Sequence, residues 1–236
     1  YFAATVTLQR DGEAVRVRVE RGERARIGRL DIELQGELQD RAVAADPAAQ
    51  AQVARLRQAW PLPPGAAFRN ATWSDAKAEL LARLRAGGYA AAAWVGTAAD
   101  VDPQTHRVRL FLVADSGPLF RSGPLVVEGL QHHDEATVRH LAGFAPGTPL
   151  TETLLLDFQD RLRESGLFDT LSVTFEPDPA TAAATPVRVR LRESPRQVWT
   201  FGIGYADSAG PRASVEHLHR RLFGMPLVSR NKLEWG

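Results

Sequence analysis

The sequence predicts an α+β fold, with tandem β-α-α-β-β repeats followed by the beginning of a transmembrane antiparallel β-barrel. Three observations carry this expectation: a helix-to-strand junction written twice, a period-two hairpin written three times, and a change of texture after Pro195.

The composition permits such a chain. Its 236 residues suffice for about two ordinary domains or several small ones in series. Apolar residues make up 44% and charged residues 24%, the mixture of a folded chain that buries real cores. Arg and Lys total 29 against 28 Asp and Glu, so no long-range field gathers nucleic acid, and none is expected as a partner. Lys occurs only at Lys77 and Lys232, which with the abundant Ala fits a GC-rich coding bias better than phosphate recognition. The absence of Cys excludes disulfide frameworks and thiolate metal sites. The chain opens at Tyr1, with neither a signal-peptide pattern nor a run of about 18 apolar residues, and is expected to be a mature chain or a fragment.

The duplicated junction is Arg83-Leu84-Arg85-Ala86-Gly87-Gly88-Tyr89 in one copy and Arg161-Leu162-Arg163-Glu164-Ser165-Gly166-Leu167-Phe168 in the other. Each ends an amphipathic helix, stops it at a Gly suited to the left-handed conformation, and follows with a large apolar residue that can dock back on the helix. Beyond each junction comes a strand, a polar turn and a strict alternation, Val108-Arg109-Leu110-Phe111-Leu112 and Val187-Arg188-Val189-Arg190-Leu191. A third version runs from Tyr1-Phe2 through Thr5-Val6-Thr7-Leu8 and Asp11-Gly12 to Val15-Arg16-Val17-Arg18-Val19. Period two with one charged face predicts half-exposed antiparallel hairpins.

A short strand precedes each helical pair, around Ile27 to Leu34 and Phe120 to Gly129. Helical periodicity is expected at 48–60, 72–86, 134–142 and 151–164, with Asp134 and Thr151 as N-caps. Leu80, Leu81, Leu84 and Leu155, Phe158, Leu162 supply the apolar stripes, expected to be core. The predicted organisation is therefore a C-terminal hairpin of a preceding repeat at 1–26, repeats at 27–118 and 119–195, and barrel strands at 196–236. The Ala-rich stretch 39–50 is longer than a compact unit needs and is expected to be a surface elaboration.

After Pro195, Trp199-Thr200-Phe201-Gly202-Ile203-Gly204-Tyr205 sets an aromatic face against a face of small residues. That arrangement suits a barrel strand, with Trp199, Phe201, Ile203 and Tyr205 toward lipid. Further strands are expected at 212–222 and 227–236. The middle one, with His217, His219, Arg220 and Arg221, alternates poorly. Two or three strands cannot close a barrel, so the remainder is expected beyond Gly236.

The repeat order, the junctions at Gly88-Tyr89 and Gly166-Leu167-Phe168, and the stretch Phe201-Gly202-Ile203-Gly204-Tyr205 with Gly210-Pro211-Arg212 and Leu222-Phe223-Gly224 resemble a family: POTRA (polypeptide-transport-associated) repeats leading into a BamA/TamA-type outer-membrane barrel. The last stretch is more similar to the TamA branch. The resemblance implies an outer-membrane location with the repeats in the periplasm, and assembly or translocation of client proteins, autotransporter-type or other β-barrel chains. It further implies an inner-membrane-anchored or periplasmic partner protein, contact of the barrel with outer-membrane lipid, and no cofactor. A two-partner-secretion transporter for one dedicated exoprotein and a purely structural periplasmic scaffold stay open beside it.

In such a repeat the strand after the second helix can be a sheet edge that takes an extended client through its backbone. The candidate edges are 89–95, with Tyr89, Ala91, Ala93 and Val95, and 168–175, with Phe168, Thr170, Ser172 and Thr174. Enzymatic chemistry finds no candidate. His132, His133 and His140 with Asp134 and Glu135 lack a zinc-motif spacing, Gly202-x-Gly204 does not open a helix, and Ser165 and Ser208 lie in no nucleophile elbow.

Overall fold

The computed structural model describes residues 4–12, 14–20, 22–195, 197–206, 210–219 and 229–236. Tyr1-Phe2, the turn residues 207–209 and the stretch 220–228, with Ser208, Arg220, Arg221, Leu222-Phe223-Gly224 and Leu227, lie outside the described residues. The chain divides into two compact units. One holds residues 1–122 with 149–152 and 177–185, the other the remainder.

The first unit opens with a hairpin of β1 (Thr5–Asp11) and β2 (Ala14–Glu20), paired Val6 to Val19 and Leu8 to Val17. It continues through β3 (Arg26–Gln35), α1 (Glu37–Val43), α2 (Pro47–Gln58), α3 (Asn70–Ala86), β4 (Ala93–Asp102) and β5 (Arg107–Asp115). The sheet order is β3-β5-β4, with β5 parallel to β3 and antiparallel to β4. A parallel pair needs a long crossover, and the helices supply it. Val108, Leu110 and Leu112 of central β5 are fully buried, in one core with Leu38, Leu56, Trp73, Leu80 and Leu84 from the helices. Arg109 and Phe111 alternate to the exposed face.

This repeat has three helices, not two: residues 39–50 form most of α1 and the start of α2, and they lie at the surface apart from buried Ala49. Asp46 explains the break between the helices. Its carboxylate accepts hydrogen bonds from the Ala48 and Ala49 amides, with Pro47 at the first helical position where its missing N–H costs nothing. Arg41 donates to the same carboxylate at 2.7 Å and to the Tyr89 hydroxyl at 3.1 Å. A stretch rich in Ala, Asp and Pro is thereby a helix-turn-helix pinned to the core.

The expected boundary at 118/119 is also displaced. The Leu119 amide donates to Glu37 Oε2 at 2.8 Å, Phe120 to the Gly88 carbonyl, Leu150 to the Phe120 carbonyl, and Arg121 to the Ala182 carbonyl. Leu119, Phe120, Leu150 and Ala182 are all buried, so residues through 122 belong to the first unit. Gly88 is required here. Its φ is +100°, and a Cβ would lie 2.8 Å from Leu119 Cδ1.

The second unit contains β6 (Ser122–Glu128), α4 (Glu135–Ala142), α5 (Glu152–Glu164), β7 (Phe168–Phe175) and β8 (Thr185–Glu193), the sheet order being β6-β8-β7. Val138, Phe158, Leu162, Val187 and Val189 are fully buried within it. Asp134 holds the N-cap position of α4 but makes no side-chain cap bond. The same unit includes an antiparallel meander of β9 (Gln197–Ala206), β10 (Gly210–His219) and β11 (Ser229–Trp235). Among the described residues no helix is long and apolar enough to cross a membrane, which says nothing of strands.

Candidate functional site

Two kinds of surface stand out, a greasy sheet face and free sheet edges. In the meander, cross-strand partners sort residues by face, because side chains alternate with period two. One face carries the rows Phe201–Val215–Leu233 and Ile203–Ala213–Trp235, with Trp199–His217–Asn231 toward one end and Tyr205–Pro211 toward the other. Trp199, Phe201, Ile203 and Tyr205 are 54%, 73%, 93% and 76% exposed. The opposite face carries Thr200–Glu216–Lys232 and Gly202–Ser214–Glu234, with ion pairs Arg230–Glu216 and Lys232–Glu234. A Cβ at Gly202 would lie 2.6 Å from Ser214 Oγ, so a larger residue there would require the serine hydroxyl to turn away.

The register sorts the middle strand in part: in β10, Ala213, Val215 and His217 fall on the greasy face and Arg212, Ser214 and Glu216 on the other, while at the end of the strand the alternation is poor, as expected, with Leu218 on the charged face and His219 on the greasy one. His217 stacks on Trp199 with ring centroids 4.0 Å apart, so its ring extends the aromatic surface. The sequence hides this because a histidine beside an aromatic ring reads as polar when the cross-strand partner is unknown.

The edges follow from the sheet orders. In the three-stranded sheets of the two repeats they are β3 and β4 in the first unit and β6 and β7 in the second. The candidate edge 89–95 is only partly a strand. Tyr89 is fully buried with its hydroxyl on Arg41, Ala91 lies in the turn, and β4 begins at Ala93, with Val95 at a bulge where the register slips between Trp94 and Gly96. Burial raises the Tyr89 pKa, against the nearby Arg41 charge. The aromatic after the Gly pair thus docks so deeply that its strand starts four residues later.

In β7, Phe168 and Val173 are buried, while Thr170, Ser172 and Thr174 are exposed and face Arg192, Arg190 and Arg188 of β8. The strand bulges between Phe168 and Thr170, and Arg192 at 2.9 Å holds the intervening Asp169 below the usual carboxylate range. Gln159 of α5 donates to the Val173 carbonyl at 3.2 Å, occupying one acceptor of this edge.

No family model matches the sequence, and no characterised protein matches it in a sequence search. Solved structures do. BamA from Haemophilus ducreyi lacking POTRA domains 1–3 is 16% identical with a TM-score of 0.60, covering 90% of this chain and 37% of that one. CdiB from Acinetobacter baumannii is 10% identical with a TM-score of 0.50, covering 90% of this chain and 39% of that one. The fold is shared with both. The repeats are POTRA-like, and the chain spans well under half the length of either relative.

The histidine-rich stretch ahead of α4 is organised by Glu193. The Glu193 carboxylate accepts the amides of Gln131, His132 and His133, and His132 Nδ1 lies 2.8 Å from its Oε2. Glu135 pairs with Arg139 one helical turn on. Among the described residues no group of three or more metal-ligating side chains converges. The arrangement ties the β6–α4 loop to the end of β8, a link between positions 61 residues apart that sequence spacing cannot reveal.

Proposed function

We propose that the chain is the periplasmic arm and opening barrel strands of an outer-membrane protein that assembles or translocates client proteins, with no catalytic role. One observation carries this reading: two POTRA-like repeats continue into a sheet whose large apolar side chains gather on one exposed face and whose charges pair on the other, as a strand between lipid and a wet lumen requires. The fold shared with BamA and CdiB supports it. In this reading the repeats lie in the periplasm, β4 and β7 offer backbone edges to extended segments, the clients are autotransporter-type or other β-barrel chains as in a TamA-like protein, and an inner-membrane-anchored or periplasmic protein is a further partner.

Photocrosslinking from Ser172 and Ala98 in the full-length protein in its native envelope tests this. Capture of several unfolded barrel precursors is the expected outcome. A single exported protein would replace the assembly role by two-partner secretion, and one folded envelope protein would make the repeats a scaffold.

A further inference from the structure

The free edge of β3 differs from those of β4 and β7. Its start is covered, because the Ile27 amide donates to the Ala66 carbonyl and Phe68 to the Ala25 carbonyl. The register with β5 slips once, between Ile27 and Arg29, and then runs regularly to Gln35. Along Gly28 to Leu34 the outer side of the strand has no hydrogen-bond partner among the described residues. By contrast β7 has an acceptor taken by Gln159, and β4 bulges at Val95.

A groove of about 420 Å³ lies on this edge, lined by Leu30, Asp31, Ile32, Glu33, Arg57 and Phe111. Leu30 and Ile32 lie on the helix-facing side and are half-buried, although their partners Leu110 and Leu112 on β5 are fully buried. The apolar layer therefore runs out at β3 before it is covered. Phe111 forms an apolar wall on the opposite face and is 45% exposed. Asp31 is paired with Arg29 at 2.7 Å and Glu33 accepts from Gln35 at 2.8 Å. The exposed Arg57 guanidinium of α2 forms no ion pair among the described residues.

We infer that this groove is a strand-addition site for an extended polypeptide that carries alternate apolar side chains and a carboxylate opposite Arg57. The inference rests on the reading of the repeats as receptors for extended segments, and it selects one edge and one chemistry. The unpaired backbone calls for a strand, since only main-chain groups in register satisfy an edge. Leu30 and Ile32 call for apolar residues at every second position on the helix side of that strand, which would extend the core by one row. Arg57 calls for an acid, which its planar guanidinium can hold through two hydrogen bonds.

The probe is a dye-labelled strand peptide of alternating Val and Thr with one Glu, offered to the full-length protein in lipid nanodiscs. Its Lys-bearing counterpart and two versions N-methylated on alternate residues accompany it. The Glu probe should bind and crosslink to benzoylphenylalanine at position Asp31. One N-methylated version should lose binding and the other keep it, because only one edge of the peptide meets β3. Arg57→Glu, at an exposed position that leaves the fold intact, should weaken the Glu probe roughly three- to tenfold and strengthen the Lys probe. Crosslinking from Ser172 but not from Asp31, with no response to Arg57→Glu, would overturn this site while leaving the receptor reading standing. Capture from neither position would sink both, and capture of a second copy of the chain at Asp31 in place of the probe would overturn the assignment of the occupant.

Discussion

The β7–β8 hairpin and the β9–β10 pair are both antiparallel, both alternate with period two, and differ in every other respect. In β8, Val187, Val189 and Leu191 are buried against helices and Arg188, Arg190 and Arg192 face outward. In β9, Phe201, Ile203 and Tyr205 share one exposed face, opposite a row built from Thr200, Gly202 and Gly204. The period alone establishes a strand. The size of the residues on the second face decides the surroundings: a water-facing surface takes long charged chains, whereas a tight lumen takes glycine and short polar groups while the large residues turn to lipid. On the proposed reading, burial in protein and burial in lipid leave the same period and opposite signatures on the minor face.

The comparison breaks most readily at the core of the second unit's repeat, around α5. Leu162 is fully buried, and Leu162→Asp should destabilise this repeat by several kcal/mol, since an unpaired carboxylate is forced among apolar side chains. Thermal unfolding of the full chain should show early loss of the α5 signal. The counterpart in the meander is Ile203→Arg. Here the folded repeats should be unaffected, while insertion into a bilayer weakens by about 2–4 kcal/mol if Ile203 lies near the midplane. Partitioning into vesicles measures it.

A smaller effect is expected where the repeats rely on polar contacts. Tyr89→Phe removes the hydroxyl that accepts from Arg41 and should cost about 0.5–1.5 kcal/mol by chemical denaturation. Asp46 adds a pH dependence of defined sign. Arg41 and the two helix-start amides lower its pKa from 3.8 in the folded chain. Its contribution is therefore complete above the unfolded value and is lost as the pH falls through the depressed folded value, so Asp46→Asn should flatten the acid limb of the stability profile. The smallest effect belongs to the water-facing row: Arg188→Ser should change stability by no more than about 0.5 kcal/mol.

Most of this architecture was legible in the sequence because it is periodic or punctuated. The repeated Arg-Leu-Arg to Gly junctions placed α3 and α5 within a few residues, and the alternations placed β2, β5 and β8. What stayed hidden depends on contacts between distant positions. The α1–α2 turn is held by Arg41 reaching Asp46 and Tyr89, so a stretch that lacks a strong apolar stripe folds as helix. The edge strand after α3 starts late because Tyr89 is drawn into the core. The order β3-β5-β4, which leaves β3 with a free edge, is a property of pairing that no local pattern records.

The most direct test of the central claim is solvent accessibility along β9 and β11 in the membrane-inserted full-length protein. Residues 1–236 have no Cys, so in a full-length protein cleared of any Cys elsewhere single spin labels can be placed at Thr200, Phe201, Gly202, Ile203, Lys232 and Leu233, and their collision with lipid-soluble oxygen and a water-soluble nickel complex measured. Labels at Phe201, Ile203 and Leu233 should favour oxygen, and those at Thr200, Gly202 and Lys232 should favour nickel, with the preference switching at every residue. Uniform nickel access on both faces would contradict the account, because the strands after Pro195 would then lie in water and the repeats would not lead into a membrane sheet.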